Sequence, residues 1–162
     1  MTQEEKVLLL QDLSARLPYG VQILADIHKE FDGGVISTLK AINLKKDWVE
    51  LQSVLTPFKF DEIKPYLRPI SSMTEEEKEE LKSKCTHTET EEDWEGVRCD
   101  VWGIQILDKY DTRRWDNPIW PSTINMDAID WLNKKMFDYR GLIPMDLAIE
   151  ITEENNPYES NM

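Results

Sequence analysis

The tract from Phe58 to Leu81, FKFDEIKPYLRPISSMTEEEKEEL, constrains the fold more than any other part of the chain. Pro65 and Pro69 each fix φ and lack an amide hydrogen, and each pushes the residue before it towards extended geometry. Both prolines therefore argue against a helix or a central strand in this tract. We expect a β-rich unit to end near Phe60.

Thr74 then restarts regular structure. Its hydroxyl can accept a hydrogen bond from the Glu77 amide, while the Glu77 carboxylate returns to the Thr74 amide, which is a capping box. The glutamates that follow Thr74 also suit the positive end of a helix dipole. A solvated acidic helix is predicted from Glu75 to about Lys84.

The same capping signal opens the chain, where Thr2 stands three residues before Glu5. The apolar residues that follow recur at helical spacing: Val7, Leu9, Leu10, Leu13 and Leu17. Pro18 and Gly20 then end the pattern. An N-terminal helix is predicted.

Three strands are predicted after this helix. From Val21 the hydrophobic period changes to two, which is typical of a half-buried strand. The Gly33-Gly34 pair marks a turn, and a second strand is expected from Val35 to about Ile42. A lysine-rich turn at 45–47 leads to a third strand, from Trp48 to Leu55. Short connections of this kind predict a meander.

Closure of this meander is predicted because a flat three-stranded sheet would leave exposed edges. Phe58 and Phe60 supply a further extended piece, so a small, partly open SH3-like barrel is the expected form. The first helix would cover one open end or face. The fold class is therefore α+β: an N-terminal helix with a small SH3-like meander β-barrel, then an acidic helix and linker, then a Trp-rich C-terminal helical region.

The chain divides into four predicted units. One helix is expected to follow Ser122 or Thr123, with apolar residues at helical spacing from Met126 to Met136, and to end at Gly141 and Pro144. A short second helix is expected over about 145–151. The units are residues 1–70 (helix and small barrel), 71–96 (acidic helix and mobile loop), 97–155 (Trp-rich mixed and helical region) and 156–162 (flexible tail).

Charge is unevenly distributed along the chain, whose formal net charge is −13. Residues 1–70 carry ten acids and nine bases, whereas residues 71–100 carry eleven acids and four bases. This balance argues against nucleic-acid binding, which needs clusters of Lys and Arg. The acidic segment is either a solubilising face or a surface for a basic partner. Its candidate partner-binding residues are Glu89, Glu91, Glu92 and Asp93.

A second candidate surface combines arginines with tryptophans. Arg113, Arg114, Trp115 and Trp120 lie close together in the sequence, and Arg beside exposed aromatic residues is the composition of binding hot spots. Burial is the competing interpretation, because Trp is usually mostly buried. Both interpretations stay open at this point.

Cysteine and histidine residues do not form a recognisable site. Cys85 and Cys99 match no zinc signature, and His87 lies only two residues from Cys85. The cysteines fit free thiols of a reducing compartment, and whether they pair stays open. No catalytic, cofactor-binding or metal-binding residue is assigned.

An alternative chemistry uses four aspartates, Asp108, Asp111, Asp116 and Asp127. Clustered carboxylates can clamp magnesium ions on either side of a phosphate, as in a metal-dependent hydrolase. Turn and helix-cap roles account for the last three without a metal. The sequence also contains no Gly-rich phosphate loop and no Gly-x-Ser-x-Gly or His-Glu-x-x-His motif.

Membrane insertion and export are not expected. No run of about eighteen apolar residues occurs, and the opening MTQEEKVLLL has acids where a secretory signal needs a basic region. The cytoplasm is the predicted compartment.

Three sequence blocks carry a family resemblance: MTQEEKVLLLQDLSARLPYGV, KPYLRPISSMTEEE and IDWLNKKMFDYRGLIPMDLA. They resemble a group of uncharacterised proteins from gut Bacteroidetes that are often encoded in prophages and other mobile elements. The resemblance implies a genetic setting and carries over no catalytic residue.

These observations favour a binding function. We expect a small acidic cytoplasmic accessory protein of a phage or mobile element that contacts a protein partner, with a basic partner as one option. One alternative is an acidic decoy that mimics nucleic acid and blocks a host DNA- or RNA-binding protein. The other is the metal-dependent hydrolase.

Overall fold

The computed structural model of this protein describes residues 1–26, 34–84 and 126–159. Within them the helices are α1 (Gln3–Arg16), α2 (Glu75–Lys84) and α3 (Met126–Lys134). The strands are β1 (Gln22–Ala25), β2 (Val35–Asn43), β3 (Trp48–Leu51), β4 (Val54–Lys59), β5 (Ile63–Leu67) and β6 (Ile149–Glu150).

The strands form one curled, six-stranded sheet in the order β4-β3-β2-β1-β5-β6. Neighbouring strands are antiparallel except β5 and β6, which are parallel. The first four strands are a meander, and β5 returns to pair with β1. The α+β class and the meander are therefore confirmed, in the form of a half-barrel.

Helix α1 begins and ends where the sequence predicts. The Glu5 amide donates to the Thr2 hydroxyl at 3.2 Å, and the Thr2 amide donates to the Glu5 carboxylate at 2.7 Å. After the helix a 3₁₀ turn at Leu17–Tyr19 is closed by Gly20, whose φ of 71° favours glycine. Leu9 and Leu13 of α1 are fully buried.

The main core lies between α1 and the sheet. Val21, Ile23 and Ala25 are fully buried, as the predicted alternation requires. The same cluster includes residues from after α3: Met136, Leu142, Leu147 and Ala148. The N-terminal segment and the C-terminal segment thus share one core.

The predicted third strand, Trp48 to Leu55, is wrong. A turn at Gln52 and Ser53 divides it into β3 and β4. The Gln52 amide donates to the Thr38 carbonyl at 2.9 Å, and the Ser53 amide donates to the Ser37 hydroxyl at 3.0 Å. These bonds hold the turn against β2 and leave the Leu55 side chain fully exposed.

The prediction that Pro65 cannot lie in a central strand is also wrong, since Pro65 lies in β5, opposite Ile23 of β1. The Asp26 amide donates to the Glu62 carbonyl at 2.9 Å. Because successive residues of a strand direct their amides to opposite sides, the nitrogen of Pro65 points away from β1. The missing amide hydrogen of Pro65 therefore removes no bond with β1. It removes none with β6 either, because pairing with β6 begins only at Tyr66.

The acidic helix is confirmed, with its capping box. The Glu77 amide donates to the Thr74 hydroxyl at 3.2 Å, and the Thr74 amide donates to the Glu77 carboxylate at 3.1 Å. Leu81 of α2 packs with Ala128, Trp131 and other residues of α3 in a second apolar cluster. Helix α3 ends at Lys134, earlier than predicted.

The helix predicted over 145–151 is wrong. The Asp138 carboxylate accepts hydrogen bonds from the amides of Leu142 and Ile143, both at 2.8 Å, and this holds a turn. Burial raises the pKa of the Asp138 carboxyl above its ordinary value. The chain then enters β6, and the Ile151 amide donates to the Leu67 carbonyl at 2.8 Å.

Tyr158 anchors the C-terminal segment, in contrast to the flexible tail predicted from residue 156. Its hydroxyl accepts from the Gln22 amide at 3.0 Å and donates to the Tyr66 carbonyl at 3.1 Å. Gln22 and Tyr66 are the next pair along the β1–β5 register, so the hydroxyl bridges the two strands where they separate. Burial raises the pKa of Tyr158 to about 12.

The predicted mobile loop at 86–95, the β-rich stretch from Val97 and the irregular stretch 111–121 lie outside the described residues.

Replacing Leu13 by Ala should lower the free energy of unfolding by about 2–5 kcal/mol, because the side chain is fully buried in the main core. Chemical denaturation monitored by circular dichroism measures this loss. Val7→Ala is the control, since Val7 lies on the same helix and is 42% exposed. Equal denaturation midpoints for Leu13→Ala and the wild type would contradict the packing of α1 on the sheet.

Replacing Tyr158 by Phe should cost about 1–3 kcal/mol, because it leaves a buried amide and a carbonyl without a partner. Amide hydrogen exchange gives the specific readout. Exchange at Gln22 should accelerate more than exchange at Ala25, which is in the intact part of the ladder. Unchanged exchange at Gln22 would show that the hydroxyl does not bridge the strands.

Candidate functional site

The sequence-predicted partner-binding residues all lie outside the described residues: Glu89, Glu91, Glu92, Asp93, Arg113, Arg114, Trp115 and Trp120. The same holds for Cys85, His87, Cys99, Asp108, Asp111 and Asp116. Asp127 is described and lies in the first turn of α3, where an acid favours the helix dipole. The structure therefore tests none of the predicted groupings of these residues.

Two clefts lie at the two ends of β5, and sequence reasoning identified neither. The first, here called the donor-lined cleft, has a volume of about 540 Å³ and lies beyond the carboxyl ends of β5 and β6. Its polar lining includes Tyr19, Arg68, Lys134, Lys135, Thr152 and Asn156. Met136, Ile151 and Tyr158 supply apolar surface, and Glu153 and Glu159 also line it.

Arg68 is held rigidly at the wall of the donor-lined cleft. Its guanidinium donates to both carboxylate oxygens of Glu77, at 2.8 and 2.9 Å, and to the Ser72 carbonyl at 3.3 Å. It also lies 4.2 Å from the centre of the Phe137 ring. Bidentate pairs of this kind are strong and geometrically specific. The hydrogen bond from Arg68 lowers the pKa of Glu77 below its ordinary value.

The two lysines of this cleft are less constrained. Lys135 lies 3.8 Å from the Glu77 carboxylate and over the Trp131 ring, at 5.7 Å from its centre. Lys134 is exposed and forms no ion pair with another described residue. An anionic group that enters the cleft would therefore meet the lysines, since Arg68 is already paired.

The second cleft, here called the acidic-rimmed cleft, has a volume of about 450 Å³ and lies where β1 ends and β5 begins. Leu24, Ile63 and Ile149 line it with apolar surface, and Asp26, Asp61, Glu62 and Lys64 also line it. All three carboxylates are on exposed residues. Lys64, the lysine among the described lining residues, is paired with Asp146 at 2.5 Å. The rim therefore carries an excess of negative charge.

Gly34 shapes the acidic-rimmed cleft. A Cβ atom at this position would lie 2.8 Å from the Ala25 carbonyl oxygen and 2.8 Å from the Leu24 Cδ1 atom. Contacts this short would force the backbone of β1 and β2 apart. The close approach of the chain at this wall therefore depends on glycine.

Both edges of the sheet, as formed by the described strands, carry features that hinder the addition of another strand. Edge strand β4 contains Pro57, which has no amide hydrogen, and the Lys59 amide donates to the Glu62 carboxylate at 2.8 Å. On β6 the Glu150 carbonyl accepts from the Asn155 side-chain amide at 3.0 Å. Natural sheets protect their edges by such means.

The described residues show binding groups and no assembled catalytic site. Both histidines and both cysteines lie outside them. No group of three or more Cys, His, Asp or Glu side chains that could hold a metal ion occurs within residues 1–26, 34–84 and 126–159. The described clefts can thus recognise charge and apolar surface.

Comparisons with known proteins identified no relative of this chain. No protein-family model matches the chain, and searches of curated proteins and of solved structures found no match. The resemblance to phage-associated Bacteroidetes proteins stays a prediction. Among the described helices, none is long and apolar enough to cross a membrane.

One sequence signal did point to part of this arrangement. The capping box identified Glu77, whose second partner is Arg68. The residues beside Arg68, Leu67 and Pro69, belong to no hydrophobic period in the sequence, so no pattern predicted a role for Arg68. The amphipathic pattern of the helix identifies Lys134 and Lys135 only as polar residues. No spacing in the sequence predicts that they lie beside the end of β5.

The Glu77 carboxylate should make stability depend on pH. Its pKa is lowered in the folded state, so its contribution is complete above its ordinary pKa near 4.5 and is lost as the pH falls through the lower value. Glu77→Gln should cost about 1–2 kcal/mol at pH 7, with a smaller difference from the wild type at pH 3. Glu76→Gln, on the exposed face of the same helix, is the control. A difference that is equal at both pH values would contradict the pairing.

Proposed function

We propose that this protein acts by non-covalent contact with another protein, and that the partner presents a basic segment to the acidic-rimmed cleft. The observation that carries the proposal is the combination of an apolar floor with a rim of carboxylates in one 450 Å³ cleft. Neither feature alone would suggest a partner of defined chemistry.

Lysine and arginine side chains match this combination. Each has an aliphatic stem that can lie against apolar surface while its cationic end stays among polar groups. In the cleft the stem would lie on Leu24 and Ile63, and the cation would approach Asp26 and Asp61. Neither of these aspartates forms an ion pair with another described residue.

The blocked edges of the sheet support contact through a cleft. Strand addition would require free backbone groups along an edge, but Pro57, the Lys59–Glu62 bond and the Asn155–Glu150 bond remove several of them. A partner that docks by side chains would not meet this obstacle.

The setting proposed for this contact is a phage or mobile element in the cytoplasm. Its support is the resemblance of the three sequence blocks, together with the acidic composition. An SH3-like relationship of the half-barrel belongs to the same proposal and rests on the meander β1–β4. The sequence-predicted candidates Glu89, Glu91, Glu92 and Asp93 lie outside the described residues and carry no part of this argument.

The second candidate function is an acidic decoy of a nucleic-acid-binding protein. It is favoured by the outer face of α2, where Glu75, Glu76, Glu79 and Glu80 are exposed. Binding of this kind should weaken steeply with salt, because exposed charges are screened. The hydrolase alternative would instead require turnover that depends on a divalent metal.

Neutralising the rim tests the proposal with a defined probe. A short peptide of alternating Lys and Leu should shift the backbone amide signals of Asp26, Ile63 and Lys64 in a saturable way. The double variant Asp26→Asn/Asp61→Asn should weaken this binding about threefold to tenfold, since each exposed pair contributes at most about 1 kcal/mol.

Two controls separate the outcomes. Glu4→Gln removes an exposed acid of α1 away from the cleft and should leave binding unchanged. Glu76→Gln probes the decoy surface on α2. If the peptide binds the double variant as tightly as the wild type, the acidic-rimmed cleft is not the contact site. Weaker binding by Glu76→Gln alone would favour the decoy.

A further inference from the structure

We infer that the donor-lined cleft binds a small zwitterion, a ligand that carries a carboxylate and an ammonium group on an apolar body, as an amino acid or a short peptide does. This site lies at the opposite end of β5 from the acidic-rimmed cleft. It does not depend on the protein contact proposed above.

The position of the cleft is the first support. Strands β5 and β6 are the parallel pair of the described sheet, and their carboxyl ends open on the same side. The chain continues through Arg68 from β5 and through Ile151 and Thr152 from β6, and all three residues line the cleft. The cleft therefore gathers residues from two strand ends and from the end of α3.

The arrangement of charge is the second support. The cationic side chains come from β5 and α3: Arg68, Lys134 and Lys135. The carboxylates come from the segment after β6: Glu153 and Glu159. The two signs therefore reach one cleft from different parts of the fold. A ligand with a single charge would be attracted by one set and repelled by the other, whereas a zwitterion matches both.

The existing contacts decide which groups remain for a ligand. Arg68 is committed to Glu77 by two hydrogen bonds, so it supports the wall and does not recognise the carboxylate. Lys134, which forms no ion pair with another described residue, is left for that role, and Lys135 can assist it because its contact with Glu77 is long, at 3.8 Å. Asn156 accepts a hydrogen bond from the Tyr158 amide through its Oδ1 atom at 3.0 Å, and its amide nitrogen has no acceptor among the described residues.

The apolar part of the cleft is preorganised. The Tyr158 hydroxyl is held between Gln22 and Tyr66, so only its ring is offered to a ligand. The Met136 carbonyl accepts from the Arg68 amide at 2.7 Å, which fixes the chain beside it. A rigid floor lowers the conformational entropy that binding would cost, and this favours an aromatic or aliphatic ligand body.

Three probes of matched shape test this inference: phenylalanine, 3-phenylpropionate and phenethylamine. The first carries both charges, the second only the carboxylate and the third only the ammonium group. Backbone amide signals of Tyr19, Lys135, Met136 and Ile151 are followed by NMR during titration into the full chain. We expect saturable shifts in all four, with phenylalanine binding about threefold to fivefold more tightly than either probe with one charge.

Two double variants assign the charges. Lys134→Gln/Lys135→Gln should weaken phenylalanine and 3-phenylpropionate about threefold to fivefold and leave phenethylamine unweakened. Glu153→Gln/Glu159→Gln should weaken phenylalanine and phenethylamine by a similar factor and spare 3-phenylpropionate. Lys45→Gln, an exposed lysine in the β2–β3 turn, is the control for general charge effects. Circular dichroism verifies that each variant is folded.

The inference is overturned if no probe gives a saturable shift at these amides. It is also overturned if the three probes bind equally, which would show apolar contact alone, or if 3-phenylpropionate binds more tightly than phenylalanine, which would show an anion site. Weakening by Lys45→Gln equal to that of the lysine double variant would show a nonspecific charge effect. Because the test uses no basic peptide, its failure leaves the acidic-rimmed cleft untouched.

Discussion

The fully buried guanidinium of Arg16 joins the first helix to the C-terminal part of the fold. It donates to both carboxylate oxygens of Asp12, at 2.8 and 3.0 Å, and to the Phe137 carbonyl at 2.7 Å. Its Nη1 atom lies 3.5 Å from the Leu132 carbonyl and 3.4 Å from the Asn133 carbonyl. Asp12 balances the charge of Arg16 within α1, but the remaining guanidinium donors find their acceptors only on carbonyls at and after the end of α3. Buried donors without acceptors are costly, so these contacts hold α1 and the end of α3 together.

The contacts of Arg16 also determine where the donor-lined cleft forms. By accepting from Arg16, the Phe137 carbonyl fixes the chain just after α3, and a cation at this helix end suits its dipole. That chain then pairs with the segment after β5, because the Arg68 amide donates to Met136 and the Asp138 amide donates to the Arg68 carbonyl at 2.8 Å. The lysines at 134 and 135 thereby come to lie beside Arg68.

Local signals in the sequence predicted local structure well. Both capping boxes, Thr2 with Glu5 and Thr74 with Glu77, depend on side chains that reach backbone groups three residues away. The alternation in β1 and the turn at 45–47 are equally short-range. Each of these features is determined by residues close together in the sequence, so a sequence pattern can predict it.

The errors and omissions share a different cause, since they depend on contacts between residues far apart in the sequence. Pro65 fits β5 only because its nitrogen points away from β1, a fact of register that composition does not reveal. Strand β6 forms because Leu67 offers a carbonyl to Ile151. Arg16 looks like a polar residue at the end of a helix, and its burial depends on carbonyls more than a hundred residues away.

Strand β5 links these observations to function. It is paired on both sides, and its five residues span roughly 17 Å at about 3.3 Å per residue. Ile63 at its start lines the acidic-rimmed cleft, and Arg68 just beyond its end lines the donor-lined cleft. A strand with hydrogen-bonded neighbours cannot shorten or bend easily, so the two clefts are held at a fixed separation. The carboxylates of the acidic-rimmed cleft and the lysines of the donor-lined cleft are thus held at opposite ends of one rigid element.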